Sequence, residues 1–408
     1  YVGLPRSIQF CENKIKVYGF DVDQSKIKKL KKYQSYLSNV KNENIKKIVK
    51  NKNFFPTSNL SLIKFVDIII ICLPTPLNNK LNPDLSYIKN TFVRIKKFLK
   101  EDQLICLEST TYPGTTKEIF LNYLKRNFEI GKNFYLGYSP ERNDPGSNFN
   151  ISNIPKLISG YSKNCLNVVD SIYKLIFTRT IKMNSIELAE ITKIYENVYR
   201  AVNISFVNEM KKICTRLNLN IDEIISAAKT KPFGFEAFYP GPGFGGHCIP
   251  IDPFYLSWKA KKHNINTEFI ELSGRVNRSI PKWIVQQLKK KLPKKKRYRI
   301  LILGIAYKKN INDCRESPAF EIINILRKNR FSVNFNDPFI KNLPKTRKYD
   351  FSNIDYIQLN RKSLKSFDAA ILITDHDNFN YKFLKNNLKL IIDTRHKFKG
   401  RIENVTYA

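Results

Sequence analysis

Two blocks of alternating apolar runs and amphipathic stretches, separated by a long block with helical spacing, constrain this fold most strongly. In the first block we predict strands within residues 15–23, 66–76, 103–116 and 134–141, and a helix over 82–99. Strands that alternate with helices are typical of a parallel sheet with helices on both faces. The first block therefore predicts an α/β domain.

The middle block differs because its apolar residues recur at helical spacing. Residues 184–217 keep that spacing for about nine turns, and Asn184 with Glu187 three residues later resembles a helix-capping pair. A shorter helix is predicted from "NIDEIISAAKT", and two more over 252–263 and 266–291. This block is therefore expected to be all helical.

A second α/β block follows the basic linker "KLPKKKRYR" at 291–299. Strands are predicted from "RILILG", "FSVNFNDP", "FDAAILITDH" and "LKLIIDTR", with a helix from "SPAFEIINILRKN". The sequence thus predicts an α/β protein with two parallel-sheet domains joined by a helical one. The predicted boundaries are 1–182, 183–292 and 297–408.

The chain is strongly basic, with 71 Lys and Arg against 35 Asp and Glu, a net charge of +36. Such a charge suits a nucleic-acid binder or an anionic small substrate. The basic residues are spread along a chain rich in Lys, Asn and Ile, and no nucleic-acid recognition motif is present. We therefore expect no nucleic-acid partner.

Cysteine usage and hydropathy exclude several other classes. None of the seven cysteines is in C-x-x-C spacing, so we expect neither disulfides nor a metal site, and a reducing cytoplasm as the setting. The longest apolar run, "VDIIIICLP", is too short to cross a bilayer, and no secretion signal is visible. No membrane association is expected.

Several polar residues directly follow predicted strands, where open α/β sheets bind ligands. Asp21 could accept the ribose hydroxyls of a dinucleotide, although a capping or solvated aspartate is equally consistent. Thr75, Ser109 and Thr110 could donate to phosphates or nicotinamide, or could be ordinary caps. Of the dinucleotide fingerprint G-x-G-x-x-G only the last glycine, Gly3, is present.

The middle block contains the candidates for covalent chemistry. Cys248 follows the Gly/Pro-rich run "GPGFGGH", which allows close approach of a substrate, and a thiolate attacks carbonyl carbon well. Asp252 lies about one turn further on, at a helix start. Lys193 and Asn197 share one face of a largely apolar helix. The alternatives are a buried apolar cysteine and a lysine that extends along the helix rim to solvent.

Together these segments resemble the UDP-glucose/GDP-mannose dehydrogenase family over nearly the whole chain. The ordered matches are "YVGLP", "PTPL", "ESTTYPGTT", "SPER", "ITKIYENVYRAVNISFVNEM", "GPGFGGHCIPIDPFYL", "GIAYKKNINDCRESPA" and "DTR". The stretch around Cys248 is most similar to the branch that acts on UDP-N-acetylglucosamine. His247 and Ile251 replace residues typical of the UDP-glucose branch. UDP-N-acetylmannosamine and UDP-glucose stay as alternative donors.

The resemblance implies two Rossmann-like domains joined by a helical domain, usually in a homodimer, and a four-electron oxidation of the sugar C6 alcohol by two NAD⁺ in turn. It implies Cys248 as the nucleophile of a thiohemiacetal and a thioester. Lys193 and Asn197 would stabilise oxyanions, and Asp252, Glu141 and Thr110 would handle water and protons. The cofactor residues would be Gly3, Asp21, Lys26, Thr75, Ser109, Thr110 and Arg315. Glu141, Lys193, Asn197, Gly245, Lys308 and Arg395 would contact the UDP-sugar.

The sequence departs from the family pattern at its start. The family's first strand and its G-x-G do not precede Tyr1. A trimmed sequence would leave the enzyme intact, whereas a true truncation would remove a central strand and impair NAD binding. The second case keeps open a non-catalytic protein that binds UDP-sugars.

Overall fold

The computed structural model describes residues 1–37, 40–78, 80–143, 151–246, 249–346, 348–400 and 402–408. They form two compact units. The first comprises Tyr1–Glu196 with Phe254–Ile265, and the second comprises Asn197–Pro253 with Asn266–Ala408.

The first unit is built from short helices and strands in alternation. Its helices are α1 (Gly3–Glu12), α2 (Gln24–Lys31), α3 (Asn42–Lys50), α4 (Ser86–Ile95), α5 (Asn122–Asn127) and α6 (Lys163–Tyr173). Its strands are β1 (Val17–Phe20), β2 (Phe54–Thr57), β3 (Ile68–Ile71), β4 (Gln103–Leu107), β5 (Phe134–Tyr138), β6 (Lys156–Gly160) and β7 (Thr180–Lys182). A π-helical turn, Lys117–Leu121, precedes α5, and 3₁₀ turns lie at Leu60–Phe65, Lys96–Phe98 and Ile151–Asn153.

These strands form two sheets. β1 and β2 pair in parallel, and the other sheet has the order β3-β4-β5-β6-β7. Its pairs are parallel except for β5 with β6, which is antiparallel. Because β3, β4 and β5 run the same way, the loops that follow them emerge at one edge.

Two long helices dominate the middle of the chain. They are α7 (Ile186–Leu217) and α10 (Glu268–Lys291), with α8 (Ile221–Ala228) and α9 (Asp252–Lys261) between them. The prediction of an all-helical block is confirmed. The predicted cap Asn184 is wrong, because the Ser185 hydroxyl accepts the Leu188 N–H (3.2 Å) one residue later. The division between the two units falls within α7, after Glu196.

The end of the second unit is a fully parallel sheet of order β12-β11-β10-β8-β9. Its strands are β8 (Arg299–Leu303), β9 (Ser332–Asn336), β10 (Ala369–Leu372), β11 (Ile391–Asp393) and β12 (Val405–Tyr407). Its helices are α11 (Pro318–Lys328), α12 (Arg361–Lys365) and α13 (Tyr381–Asn387).

Alternation along β8, an interior strand between β10 and β9, builds two cores in this sheet. Ile300 and Ile302 of β8 pack with α10 and α11 on one face, and Leu301 and Leu303 pack with α12 and α13 on the other. Successive side chains of a strand point to opposite faces, so a strand covered on both sides is apolar throughout. This explains the continuous "ILIL" of β8.

Candidate active site

The predicted polar residues of the first unit gather at the carboxyl ends of β3, β4 and β5. Thr75 and Ser109 are buried, and Thr110 is partly exposed beside Ser109. The Ser109 hydroxyl accepts the Leu73 N–H (2.9 Å) and donates to the Leu73 carbonyl (2.7 Å), so it joins the loops after β3 and β4. Glu141 follows β5 at the same edge.

A buried cluster of two cations and two carboxylates lies at this edge. Arg6 of α1 and Lys156 of β6 both reach the Glu108 carboxylate, with Nε–Oε1 and Nζ–Oε1 distances of 3.2 and 3.3 Å. Arg6 also pairs with Glu141, and Lys156 Nζ lies 3.6 Å from Glu141 Oε2. Arg6, Glu108 and Lys156 are each at most 4% exposed. The two pairs of opposite charges therefore compensate each other away from water.

This cluster fixes the ionisation of Glu141. Burial raises the pKa of Glu141, but the positive charges of Lys156 and Arg6, with a smaller effect from Lys193, lower it below its ordinary value. The Asn143 N–H donates to its Oε1 atom (2.8 Å). Glu141 is therefore a carboxylate at neutral pH, able to orient a water molecule and accept its proton.

The predicted cofactor residues at the start of the chain have a geometry that suits NAD. α1 begins at Gly3, and no described side chain caps its N-terminus, so its first N–H groups can donate to a phosphate. Asp21 directly follows β1, where a carboxylate can accept ribose hydroxyls. Lys26 pairs with Asp21 (3.1 Å) and would have to share it with a ribose.

In the second unit, Asn197 and Asp252 come together. The Asn197 Nδ2 group donates to Asp252 Oδ2 at 2.5 Å, and both residues are buried. Asn197 and Lys193 lie one helical turn apart on α7, and Asp252 begins α9. The carboxylate after the cysteine loop is thus held by an amide on the long helix. Cys248 itself lies outside the described residues, as does His247.

The glycine loop that precedes Cys248 is fastened at three places. Asn208 and Lys211 of α7 bind the backbone of Gly241 from both sides, since Asn208 Oδ1 accepts its N–H and Lys211 Nζ donates to its carbonyl, both at 2.9 Å. Further along, the Phe244 N–H donates to Asn277 Oδ1 (2.8 Å) of α10, and the Gly246 N–H to the Arg315 carbonyl (2.9 Å). The loop is therefore held rigidly.

Two of these glycines have close neighbours within the protein, a side-chain atom at Gly241 and a backbone atom at Gly245. A Cβ on Gly241 would lie 2.7 Å from Arg395 Nη1, and one on Gly245 would lie 2.8 Å from both the Glu316 carbonyl oxygen and Tyr307 Cβ. The loop glycines thus let Arg395 and the segment after β8 pack against the loop backbone. This need is separate from room for a ligand, which the sequence analysis gave as their purpose.

The predicted phosphate-binding residues lie at the carboxyl edge of the second unit's sheet. Lys308 follows β8, and Arg395 follows β11, where its Nε donates to the Ile373 carbonyl (2.8 Å). Arg315 makes a bidentate ion pair with the Asp313 carboxylate (Nε–Oδ1 3.0 Å, Nη2–Oδ2 2.7 Å). Arg395 also lines a cavity of about 420 Å³. The other lining residues are Asp222, Ser226, Tyr239, Pro240, Asp375 and Lys399.

Sequence reasoning missed Arg6, Glu108, Lys156, Asn208 and Lys211. Glu108 carried a usable signal, because it directly follows a buried strand. Lys211 is fully buried, and burial, aided by the positive charge of Arg395, lowers its pKa to about 7. Nothing in the local sequence distinguishes it from its neighbour Lys212, which is only part-buried.

The fold and these residues define a dinucleotide-binding α/β enzyme with a second Rossmann-like sheet, and comparison with known proteins gives the family. The UDP-glucose/GDP-mannose dehydrogenase family matches in three parts: its NAD binding domain over residues 1–177, its central domain over 187–279 and its UDP binding domain over 301–400. The chain belongs to this family and is an NAD-dependent nucleotide-sugar dehydrogenase. The sequence-based identification of family, fold and cofactor is confirmed.

Individual relatives are similar over most of their length. The chain is 34% identical to Protein CapL of Staphylococcus aureus, covering 93% of this chain and 88% of that protein. It is 31% identical to the UDP-N-acetyl-D-glucosamine 6-dehydrogenase of Pseudomonas aeruginosa, covering 100% and 94%. The solved UDP-D-ManNAc dehydrogenase of Pyrococcus horikoshii superposes with a TM-score of 0.88 at 28% identity, covering 100% and 96%.

Neither a membrane span nor a metal site is found among the described residues. Within the described ranges, no helix has both the length and the apolar character needed to span a membrane. In the same part of the chain, no group of three or more His, Cys, Asp or Glu side chains is arranged to hold a metal ion.

Replacing Glu108 with glutamine tests the buried ion cluster. We expect Glu108→Gln to lower the free energy of unfolding by about 3 kcal/mol, because it leaves Arg6 and Lys156 with a single carboxylate. Glu101→Gln, an exposed change just before the same strand, should cost less than about 0.5 kcal/mol. Urea unfolding followed by circular dichroism measures both. Equal midpoints for the two variants would contradict the cluster's structural importance.

Proposed function

We propose that this chain oxidises the C6 alcohol of a UDP-hexosamine, with UDP-N-acetylglucosamine as the donor, to the uronic acid. The product would supply surface polysaccharide synthesis. We further propose that the NAD-binding part is residues 1–182, the helical part with the cysteine loop 183–292, and the UDP-sugar-binding part 297–408.

The observation that carries this proposal is the fixation of the chain on both sides of Cys248. Before it, the backbone of Gly241 is held by Asn208 and Lys211. After it, Asp252 is held by Asn197. A covalent nucleophile needs such support, because a small displacement of a reacting group lowers the rate steeply.

Cys248 would form two covalent intermediates in turn, a thiohemiacetal and a thioester. NAD⁺ supplies the hydride acceptor for each oxidation. After the alcohol has lost one hydride and one proton, the Cys248 thiolate adds to the resulting aldehyde carbon and forms a thiohemiacetal. The oxyanion formed in this addition takes up a proton, and loss of a second hydride from that carbon together with the hydroxyl proton gives a thioester. Water then adds to the thioester carbonyl, the C–S bond breaks, and the carboxylate and the free thiolate are released.

The neighbouring residues would handle the charges and the water. Lys193 and Asn197 would donate to the oxyanions at C6. Asp252 would orient water or move protons. The ionised state of Glu141 supports its role in accepting a proton from the hydrolytic water, with Thr110 as a second contact to that water.

The cofactor and nucleotide contacts follow from the two sheet edges. The N–H groups at Gly3, the Asp21 carboxylate, and Thr75, Ser109 and Thr110 at the strand ends would bind NAD, with Lys26 beside Asp21. Lys308 and Arg395 would bind the diphosphate of the UDP-sugar, for which the guanidinium geometry is well suited. Gly245 would allow close approach of the sugar. Arg315 would contact either nucleotide, although its ion pair with Asp313 competes for the same donors.

The choice of donor is tested by competing substrates. UDP-N-acetylmannosamine is the second candidate, because the similar protein of Pyrococcus horikoshii is named a UDP-D-ManNAc dehydrogenase. We expect kcat/KM for UDP-N-acetylglucosamine to exceed that for UDP-N-acetylmannosamine and UDP-glucose by at least about tenfold. Initial rates of NADH formation at 340 nm measure this. A higher value for either competitor would replace the donor within the same enzyme class.

The covalent role of Cys248 is tested by its removal. Cys248→Ala should abolish formation of the uronic acid, because no thioester can form, while the fold stays intact. Cys314→Ala removes a part-buried thiol from the second unit and should leave product formation unchanged. Mass spectrometry of the reaction products distinguishes alcohol, aldehyde and acid. Uronic acid at the normal rate from Cys248→Ala would exclude the covalent route.

We also propose a homodimer in the cytoplasm. Exposed apolar side chains follow one another along α7, and the free state of the described cysteines supports a reducing compartment. The exposed residues on α7 include Tyr199, Phe206 (62% exposed), Ile213 and Leu217. A row of large apolar side chains on a monomer marks an interaction surface.

A charge in this row should break the dimer. Phe206→Glu should give a monomer by sedimentation equilibrium, because the partner would have to bury an unpaired carboxylate. Phe65→Glu alters an equally exposed phenylalanine (63%) in the first unit and should stay dimeric. A dimeric Phe206→Glu would place the interface elsewhere.

A further inference from the structure

A buried carboxylate on α7 has no role in the mechanism above. Glu190 is fully buried and lies three residues before Lys193 on the same helix. It accepts the backbone N–H groups of Gly114 (2.6 Å) and Thr116 (2.9 Å) and the Thr116 hydroxyl (2.7 Å). The Thr111 hydroxyl is a fourth, longer contact at 3.5 Å. All these donors belong to the connection between β4 and the π-helical turn that begins at Lys117, which we call the Thr110 loop.

The same loop holds Thr110. On one side of Thr110, Ser109 is bonded to the backbone of Leu73. On the other side, Thr111 and the turn that follows are bonded to Glu190. Thr110 therefore lies between two anchored neighbours, one held by the loop after β3 and the other by α7.

We infer that Glu190 is a positioning residue that fixes the Thr110 loop relative to Lys193. The inference rests on the proposed roles of Thr110 in holding water and of Lys193 in stabilising oxyanions. Glu190 would contact neither substrate nor cofactor. It would act by joining the loop to the helix that carries Lys193.

The ionised form of Glu190 fits this geometry, because a carboxylate only accepts hydrogen bonds and its contacts are donors. Burial raises the pKa of Glu190 to about 7, although the bonds from Thr116 and Gly114 act in the opposite direction. The ionised fraction therefore rises with pH through about 7, and the loop should be held most firmly above that pH.

Other charges near Glu190 are largely paired. Glu187, one turn earlier on α7, adds to the rise in the pKa of Glu190, and is itself paired with Lys117 (2.8 Å). Tyr112 of the loop donates to Glu118 (2.7 Å), which Lys259 also contacts (2.8 Å).

The test is Glu190→Gln, which keeps the size but places an amide N–H against donors. With UDP-N-acetylglucosamine and NAD⁺, we expect kcat to fall at least about tenfold while KM for the sugar nucleotide changes less than about twofold. In the wild type, kcat should fall below pH 7 as Glu190 is protonated, and this fall should be absent in Glu190→Gln. Hydrogen–deuterium exchange of a peptide spanning 109–118 should become faster, and Glu190→Asp should restore part of both properties.

Two companion variants make the test specific. Glu187→Gln removes a partly exposed carboxylate from the same helix and should keep wild-type kcat at pH 8 and wild-type exchange. Thr116→Val removes one donor that lowers the pKa of Glu190, so the acid limb of kcat should move to higher pH. This second variant also serves if Glu190→Gln does not fold.

If Glu190→Gln shows the hydrogen–deuterium exchange, kcat and pH profile of the wild type, the inference is overturned. An acid limb that does not move in Thr116→Val would also overturn it. If wild-type protein forms no NADH from any UDP-sugar, the proposed function fails. The exchange measurement still decides whether Glu190 fixes the loop.

Discussion

The stability of the first unit depends on a buried cluster of ion pairs among Arg6, Lys156, Glu108 and Glu141. Each of these ions would be costly alone in the interior, and the cluster is tolerable only because all four are present. Since its members come from α1, β6 and the loops after β4 and β5, the cluster fixes those loops relative to one another. It also keeps Glu141 ionised, which is the state that the proposed hydrolysis requires.

The second unit uses a related device on the cysteine loop. A buried ammonium and a buried amide, Lys211 and Asn208, hold one glycine by both of its backbone groups. Burying Lys211 with a carbonyl as its described hydrogen-bond partner is expensive, and its pKa is lowered although the negative charge of Asp393 acts in the opposite direction. We interpret this cost as stability given up for a rigid loop, a common feature of functional sites.

Much of this architecture could be predicted from the sequence, for a physical reason. β4, β8 and β10 are continuous apolar runs bounded by polar residues, and α7 keeps a helical period along its length, so local pattern and fold agree. Short elements such as β2 ("FFPT") and β7 ("TIK") carry too few residues to show a period. The candidate residues at strand ends could be predicted because the carboxyl ends of parallel strands lie at one edge of the sheet.

The supporting residues could not be predicted in the same way. Arg6 and Glu108 are 102 residues apart, and only the fold brings them together. Asn208 and Lys211 sit on a helix whose spacing identifies a buried face but not the backbone group that each side chain meets. The cap of α7 was also predicted wrongly, because Asn184 and Ser185 are both good caps and the choice between them depends on tertiary context.

The proposed reaction is a four-electron oxidation through one cysteine. The most direct measurement is the number of NADH molecules formed per molecule of UDP-N-acetylglucosamine consumed, with the uronic acid quantified in the same sample. We expect two NADH and one uronic acid for each sugar nucleotide. One NADH per sugar with an accumulating aldehyde would contradict it, because the second oxidation and the thioester would then not occur.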